Sequence, residues 1–257
     1  MGEILNINHL TKRFSGLVAV NDLSLVVNER SIHTLIGPNG AGKSTTVNLI
    51  TGVLKGDTGT ITFNGKDITK EPTYKIAQMG LGRTFQNIKL FGAMSVIENL
   101  MVGAHKNAQQ GIVNFLWNVK RARQEEEQMR AKAEEVLKKM DLLQYKDEMV
   151  NSLPYGLRKM TELGRTLMTE PKMILLDEPA AGLNPSERQE FIRKIREVYD
   201  SGIDLFLIEH NMDIVMSISD YITVINFGAK IAEGTPEQVV NNPEVIKAYL
   251  GDRFKAD

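Results

Sequence analysis

Hydrophobic and polar positions alternate from the start of the chain. Ile4–Ile7 reads in twos, Leu23, Leu25 and Val27 recur at every second position, and Ser31–Gly37 is an apolar run that ends in glycine. Residues 3–36 therefore predict short strands. GTITFNG (59–65) predicts another, bounded by turn residues. The period then changes, and residues 95–150 predict mostly helix. Inside them, KRARQEEEQMRAKAEEVLKKM (120–140) mixes both charges at i, i+4 spacing, the pattern of a solvated helix with one apolar stripe. Beyond residue 170, KMILLD, PSERQEFIRKIREV, GIDLFLIEH, NMDIVMSI and DYITVI alternate strand with helix. That alternation predicts a parallel sheet with crossover helices. The beginning and end thus form a mixed α/β core and the middle a helical insertion. The tail GTPEQVVNNPEVIKAYLG predicts two short helices, each starting near a proline.

Composition narrows the function classes. The chain has 257 residues, 42% of them apolar and 25% charged, ordinary values for a globular protein with a real core. Its net charge of -1 gives no bulk electrostatic reason to expect a nucleic-acid partner. Cysteine is absent, so neither a disulfide framework nor a cysteine-ligated metal is available. No apolar run approaches the roughly 18–20 residues that span a bilayer, and the polar N-terminus does not read as a signal peptide. Membrane association is expected only through a protein partner.

GPNGAGKS (37–44) carries the chemistry. It fits G-x-x-x-x-G-K-[ST], after a strand and before the plausible helix TTVNLITGV. Glycines let backbone N–H groups close on phosphate oxygens, and the helix N-terminus adds partial positive charge. Lys43 offers a point charge to the β- and γ-phosphates, and Ser44 a hydroxyl to Mg²⁺. The bland alternative is a glycine-rich turn before a helix. MILLDE (173–178) supplies two carboxylates at the C-terminal end of a buried strand, where ligands sit in such sheets. Asp177 is placed to hold Mg²⁺ through water, Glu178 to orient or deprotonate the attacking water. Alone, an apolar run followed by Asp-Glu is an ordinary strand end.

With GPNGAGKST, a Pro-Tyr-Gly turn at 154–156 and LLDEPAAGLNP in one order, the sequence resembles an ATP-binding cassette (ABC) ATPase. The resemblance runs from LTKRF to KAYLG. It implies one ABC ATPase domain over 1–257: an α/β P-loop core at 1–88 and 165–257 with an N-terminal antiparallel β subdomain, and an inserted helical subdomain at about 89–164. It implies ATP and Mg²⁺ as ligands. ATP contacts fall on Phe14, which stacks on adenine, on Val20, and on Gly37, Pro38, Asn39, Gly40, Ala41, Gly42, Lys43, Ser44 and Thr45. Ser44, Gln86 and Asp177 fall at the metal. Glu178, Gln86 and His210 fall at the catalytic positions, Gln86 at the water and the membrane subunit, His210 at the γ-phosphate. Each of Phe14, Gln86 and His210 also has a structural alternative, as a core aromatic, a loop residue and a strand-end histidine.

The family signature Leu-Ser-Gly-Gly-Gln aligns here with Leu153, Pro154, Tyr155, Gly156 and Leu157. In the family this turn caps a helix facing the γ-phosphate held by the other cassette of a head-to-tail dimer. Gly182, Leu183 and Asn184 fall on the loop at that dimer interface. Pro154 supplies neither hydroxyl nor N–H, although proline suits a first helical turn. Loss of one charge-assisted hydrogen bond is expected to cost roughly 1.5–3 kcal/mol at that half-site.

The tyrosine-containing turn, Asn184, RTFQNIKLFGAMSVIENLMVGAH and the long helical insert resemble one subgroup, an ATPase subunit of high-affinity branched-chain amino-acid importers. Relatives in that subgroup import urea and short amides. The implied partners are a homologous second ATPase subunit or a second copy, two integral-membrane permease subunits, and indirectly an extracytoplasmic solute-binding protein. The implied location is cytoplasmic, on the inner face of the membrane. Alternatives are a non-transport cassette ATPase, a P-loop small-molecule kinase, and a degenerate ATP-binding regulatory cassette.

Overall fold

The computed structural model describes residues 2–104 and 119–250, with the side chains of 119–122 and 250 left aside. Its contacts divide the chain into two units. The first takes the residues up to Arg83, Lys172–Pro179 and those from Ile195 on; the second takes Thr84–Pro171 and Ala180–Lys194. The second is thus wider than the 89–164 segment expected from sequence. It keeps the whole helix that begins at the signature turn, and the loop after Pro179 with the helix start that follows.

In the first unit, β1 (Glu3–Phe14) and β2 (Leu17–Asn28) are two long antiparallel strands, not the several short ones that the alternation suggests. Register shifts at Ile7/Leu10 and Leu10/Lys12 interrupt the two-residue period and hide their length. With β4 (Thr58–Phe63) and β5 (Lys66–Asp67) they form a sheet of order β2-β1-β4-β5. The second sheet has the order β10-β9-β3-β8-β7-β6. Its members are β3 (Ile32–Ile36), β6 (Leu81–Arg83), β7 (Met173–Asp177), β8 (Asp204–Ile208), β9 (Tyr221–Asn226) and β10 (Ala229–Gly234). From β9 to β6 the pairing is parallel, as expected. β3, β7 and β8 are buried along their whole length, which explains why their sequences are continuous apolar runs. β10 pairs antiparallel with β9 at one edge and has no counterpart in the sequence reading.

Around this sheet lie α1 (Lys43–Ile50), the short α2 (Thr73–Gln78), and, further along the chain, helices whose numbers follow those of the second unit. That unit contains α3 (Val96–Ala104), α4 (Val119–Lys139) and α5 (Tyr155–Leu167). α6 (Pro185–Asp200) begins there. Ala133, Val136, Leu137 and Met140 form the apolar stripe expected over 120–140, and they are buried. Of the helical stretch expected at 95–150, residues 105–118 lie outside the described residues. The first unit closes with α7 (Met212–Ile218), α8 (Pro236–Val240) and α9 (Pro243–Leu250), the last two starting at prolines as the tail predicts.

Candidate nucleotide site

The register of the parallel sheet decides which residues meet. Asp177 pairs with Ile208, and Leu35 with Ile208, so β3, β7 and β8 end level. The loop 37–42, Glu178 and His210 therefore all leave the same C-terminal edge.

The loop 37–42 is walled by backbone on both sides. A Cβ at Gly37 would lie 2.2 Å from the Ile225 carbonyl oxygen, and one at Gly42 would lie 2.3 Å from the Ala19 carbonyl oxygen. Gly42 also has φ 103°, in the left-handed region. The β9–β10 turn fastens the loop, since the Gly228 N–H donates to the Ala41 carbonyl at 2.9 Å. A Cβ at Gly40, by contrast, would enter open space. The Lys43 ammonium is buried and donates to the carbonyls of Gly37 at 2.6 Å and Pro38 at 3.0 Å. Burial lowers its pKa, and the Glu178 carboxylate opposes that shift. Asn39, Gly40 and the first-turn Ser44 are exposed, while Thr45 is half-buried.

These features fit a polyphosphate: a glycine loop with left-handed residues, a helix start, and a lysine whose partners are replaceable carbonyls. The Ser44 hydroxyl and the Asp177 carboxylate could supply oxygen ligands to a cation. Both are hard oxygen ligands, of the sparse kind that Mg²⁺ takes beside phosphate oxygens. Among the described residues no group of three or more His, Cys, Asp or Glu could hold a metal.

Glu178 has φ 45°, uncommon for a residue with a Cβ, and its N–H donates to Ile208 O at 2.9 Å. Its Oε1 lies 3.6 Å from His210 Nδ1. The His210 N–H donates at 3.1 Å to the buried Glu209 carboxylate. Asn211 caps α7 by accepting from the N–H groups of Asp213 and Ile214. The structure thus brings Lys43, Asp177, Glu178 and His210 together. Phe14 is exposed at the end of β1, with the Lys12 ammonium 5.4 Å from its ring centre. Val20 is fully buried in the core, and the carbonyl of the neighbouring Ala19 walls the loop.

One residue escaped the sequence reading. Arg83, at the end of β6, donates to Asp177 Oδ2 at 3.1 Å, to Asn48 Oδ1 at 2.9 Å and to Thr51 Oγ1 at 3.0 Å. A lone arginine closing an apolar strand was its one signal.

In the second unit Gln86 is exposed in the segment that follows β6. Pro154 is the N-cap of α5, one position before the first helical residue, rather than inside the first turn. No side-chain cap is made there among the described residues, and the first-turn amides have no intrahelical acceptor. The Tyr155 ring turns aside. A Cβ on Gly182 would lie 3.0 Å from it, and Arg158 and Lys159 stand 5.6 and 5.7 Å from its centre. Leu153 and Leu183 are buried. Asn184 caps α6: its Oδ1 accepts from the Glu187 N–H at 3.0 Å, and the Glu187 carboxylate accepts the Asn184 N–H at 3.1 Å. Gly156 abuts the same Glu187, whose Oε1 would be 2.9 Å from a Cβ there. Leu157 follows in the first turn of α5. Residues 153–157 and 182–184 are therefore one packed assembly.

Known proteins share the sequence and fold of this chain. Residues 20–181 match the family described as ABC transporter, and residues 229–255 match that described as branched-chain amino acid ATP-binding cassette transporter. The chain is 43% identical over 252 residues to the high-affinity branched-chain amino acid transport ATP-binding protein BraF of Pseudomonas aeruginosa, covering 97% of this chain and 98% of that one. It is 42% identical over 250 residues to LivG of Escherichia coli K12, which carries the same description, with the same coverage. Among solved structures, the ADP conformation of an ATP-binding cassette of an ABC transporter superposes with a TM-score of 0.86 at 36% identity, covering 98% of this chain and 100% of that one.

Proposed function

This chain belongs to the ABC transporter family of ATP-binding proteins, and on that premise we propose that it is the ATP-hydrolysing subunit energising an importer of branched-chain amino acids. What supports the reading most is the convergence of Lys43, Glu178 and His210 on one sheet edge.

In this reading the backbone of Gly37–Thr45 wraps the phosphates, and Lys43 exchanges its two carbonyl acceptors for phosphate oxygens. Phe14 stacks on adenine. Ser44 and Asp177 would hold Mg²⁺, which when bound would neutralise charge on the phosphate oxygens. Glu178 orients the attacking water and accepts its proton. His210 steadies that carboxylate and contacts the γ-phosphate.

The chain pairs with a homologous ATPase subunit, or with itself, and docks on two permease subunits at the cytoplasmic face of the membrane. A solute-binding protein acts through those permeases. The names of the relatives support the solute class. Exposed Phe85, Phe91 and Met94, around Gln86–Gly92, supply an apolar surface for a permease helix. Among the described residues no helix is long and apolar enough to cross a membrane.

The absent serine favours a further distinction between the two composite sites of such a pair. This chain's turn faces ATP on the partner and supports slower turnover, while the site at Lys43 and Glu178 carries most hydrolysis.

The test is replacement of the gene by a Lys43→Ala copy, followed by uptake of labelled leucine and labelled urea. Leucine uptake should fall to background with urea uptake unchanged. Undiminished leucine uptake would overturn the solute assignment.

A further inference from the structure

Resting on the transport reading above, we infer that Glu162 and Arg165 of α5 bind the loop carrying Gln86 to the helix that starts at the signature turn, so that the two move as one piece during the ATP cycle.

The loop 85–91 follows β6 and is largely exposed, yet its backbone is held at defined points. Glu162 is 2% exposed on the inner face of α5. Its carboxylate accepts the Lys89 N–H at 3.1 Å, and the Phe85 N–H also bonds to it. One buried anion thus gathers amides from either side of Gln86. Arg165, one turn further along α5, donates to the Lys89 carbonyl, so both polar groups of that residue's backbone are tied to the same helix. A second anchor lies just downstream: Asn99, fully buried on α3, accepts the Phe91 N–H at 2.8 Å and donates to the Phe91 carbonyl at 3.1 Å.

This arrangement has a physical cost that a mere loop anchor would not require. A buried carboxylate is disfavoured unless paired and hydrogen-bonded, and burial raises the pKa of Glu162. Against burial, the Lys89 amide favours the charged form most, followed by the charges of Arg165, whose Nη2 is 3.9 Å away, and Lys159, and then by the Phe85 amide. Removing the loop from α5 would take both amides from the buried carboxylate. The loop therefore follows α5, and displacement of the signature turn is carried to Gln86 and to the apolar side chains beside it.

Glu162 and Arg165 are positioning residues, and their test needs two readouts. Amide hydrogen exchange on the purified chain reports the clamp. In Glu162→Ala, exchange at Phe85 and Lys89 should accelerate by about tenfold or more, the factor expected from one hydrogen bond to a charged group. Glu162→Gln, which keeps an acceptor at the same reach, should recover much of the protection. In the reconstituted transporter, Glu162→Ala should bind Mg-ATP within about twofold of wild type and still hydrolyse it, but move several-fold less solute per ATP. Unchanged transport per ATP with accelerated exchange would overturn the inference, as would unchanged exchange. Arg165→Lys keeps the charge and guards against a misfolded alanine variant; it should show the same uncoupling in milder form, and full coupling would contradict the role of Arg165. If wild type itself neither hydrolyses ATP nor assembles with permeases, the transport reading fails separately, and the exchange result still decides the clamp.

Discussion

Arg83 Nη2 lies 3.1 Å from Asp177 Oδ2, joining the last residue of the edge strand β6 to the last residue of β7. Both side chains are nearly buried, at 14% and 11% exposure. The same guanidinium reaches Asn48 and Thr51, so the far end of α1 is tied to the carboxylate assigned to Mg²⁺. Arg83 supplies Asp177 with a positive neighbour before any cation arrives. Removing one partner of such a pair leaves an uncompensated charge.

Arg83→Gln should therefore destabilise the nucleotide-free chain by roughly 3 kcal/mol. Mg²⁺ should return part of that loss by providing the missing positive charge. The Tm gain on moving from ADP with chelator to ADP with Mg²⁺ should be larger in the variant than in wild type. Equal gains would contradict this role for Arg83.

His33 gives a pH dependence. It lies in β3 with Nε2 2.9 Å from Thr223 Oγ1, and burial, aided by the charge of Lys230, lowers its pKa from 6.5 to about 4. The folded chain keeps the ring neutral where the unfolded chain protonates it. The unfolded state thus binds more protons between those values, and stability present above pH 6.5 is lost as pH falls towards 4. The full difference is up to about 3 kcal/mol. His33→Gln should flatten the slope of unfolding free energy against pH in that window, measured by urea titration. An unchanged slope would show that other groups carry it.

The signature turn separates two roles that the aligned motif merges. Pro154→Ser restores a hydroxyl at the N-cap of α5 and should stabilise the chain by about 1 kcal/mol. Tyr155→Gly removes the ring beside Gly182 and should cost about 1–2 kcal/mol. In a homodimer, Pro154→Ser should raise ATP turnover several-fold. If turnover does not change, Gly156 and the helix N-terminus suffice without the serine.

The site core was legible because its chemistry is local. GPNGAGKS between a strand and a helix, and Asp177-Glu178 at the end of an apolar strand, each declare themselves within eight residues. What stayed hidden depends on contacts between distant residues. Arg83 meets Asp177 across 94 positions, and Lys89 meets Glu162 across 73. β10 was missed for a different reason. Its residues, apart from Gly234, are half-exposed or exposed and do not alternate, and its two-residue turn is Phe227-Gly228, both with positive φ, where asparagine or aspartate before glycine would have announced it.

Glu178 carries the central claim, that this chain hydrolyses ATP at its own phosphate loop. The decisive measurement is ATP affinity and steady-state ATPase of Glu178→Gln beside wild type, both in the assembled transporter. A group that acts on water as the bond breaks affects kcat and not binding. The account predicts unchanged affinity and a kcat lower by on the order of 10²–10⁴-fold. Turnover near the wild-type rate in Glu178→Gln would contradict it.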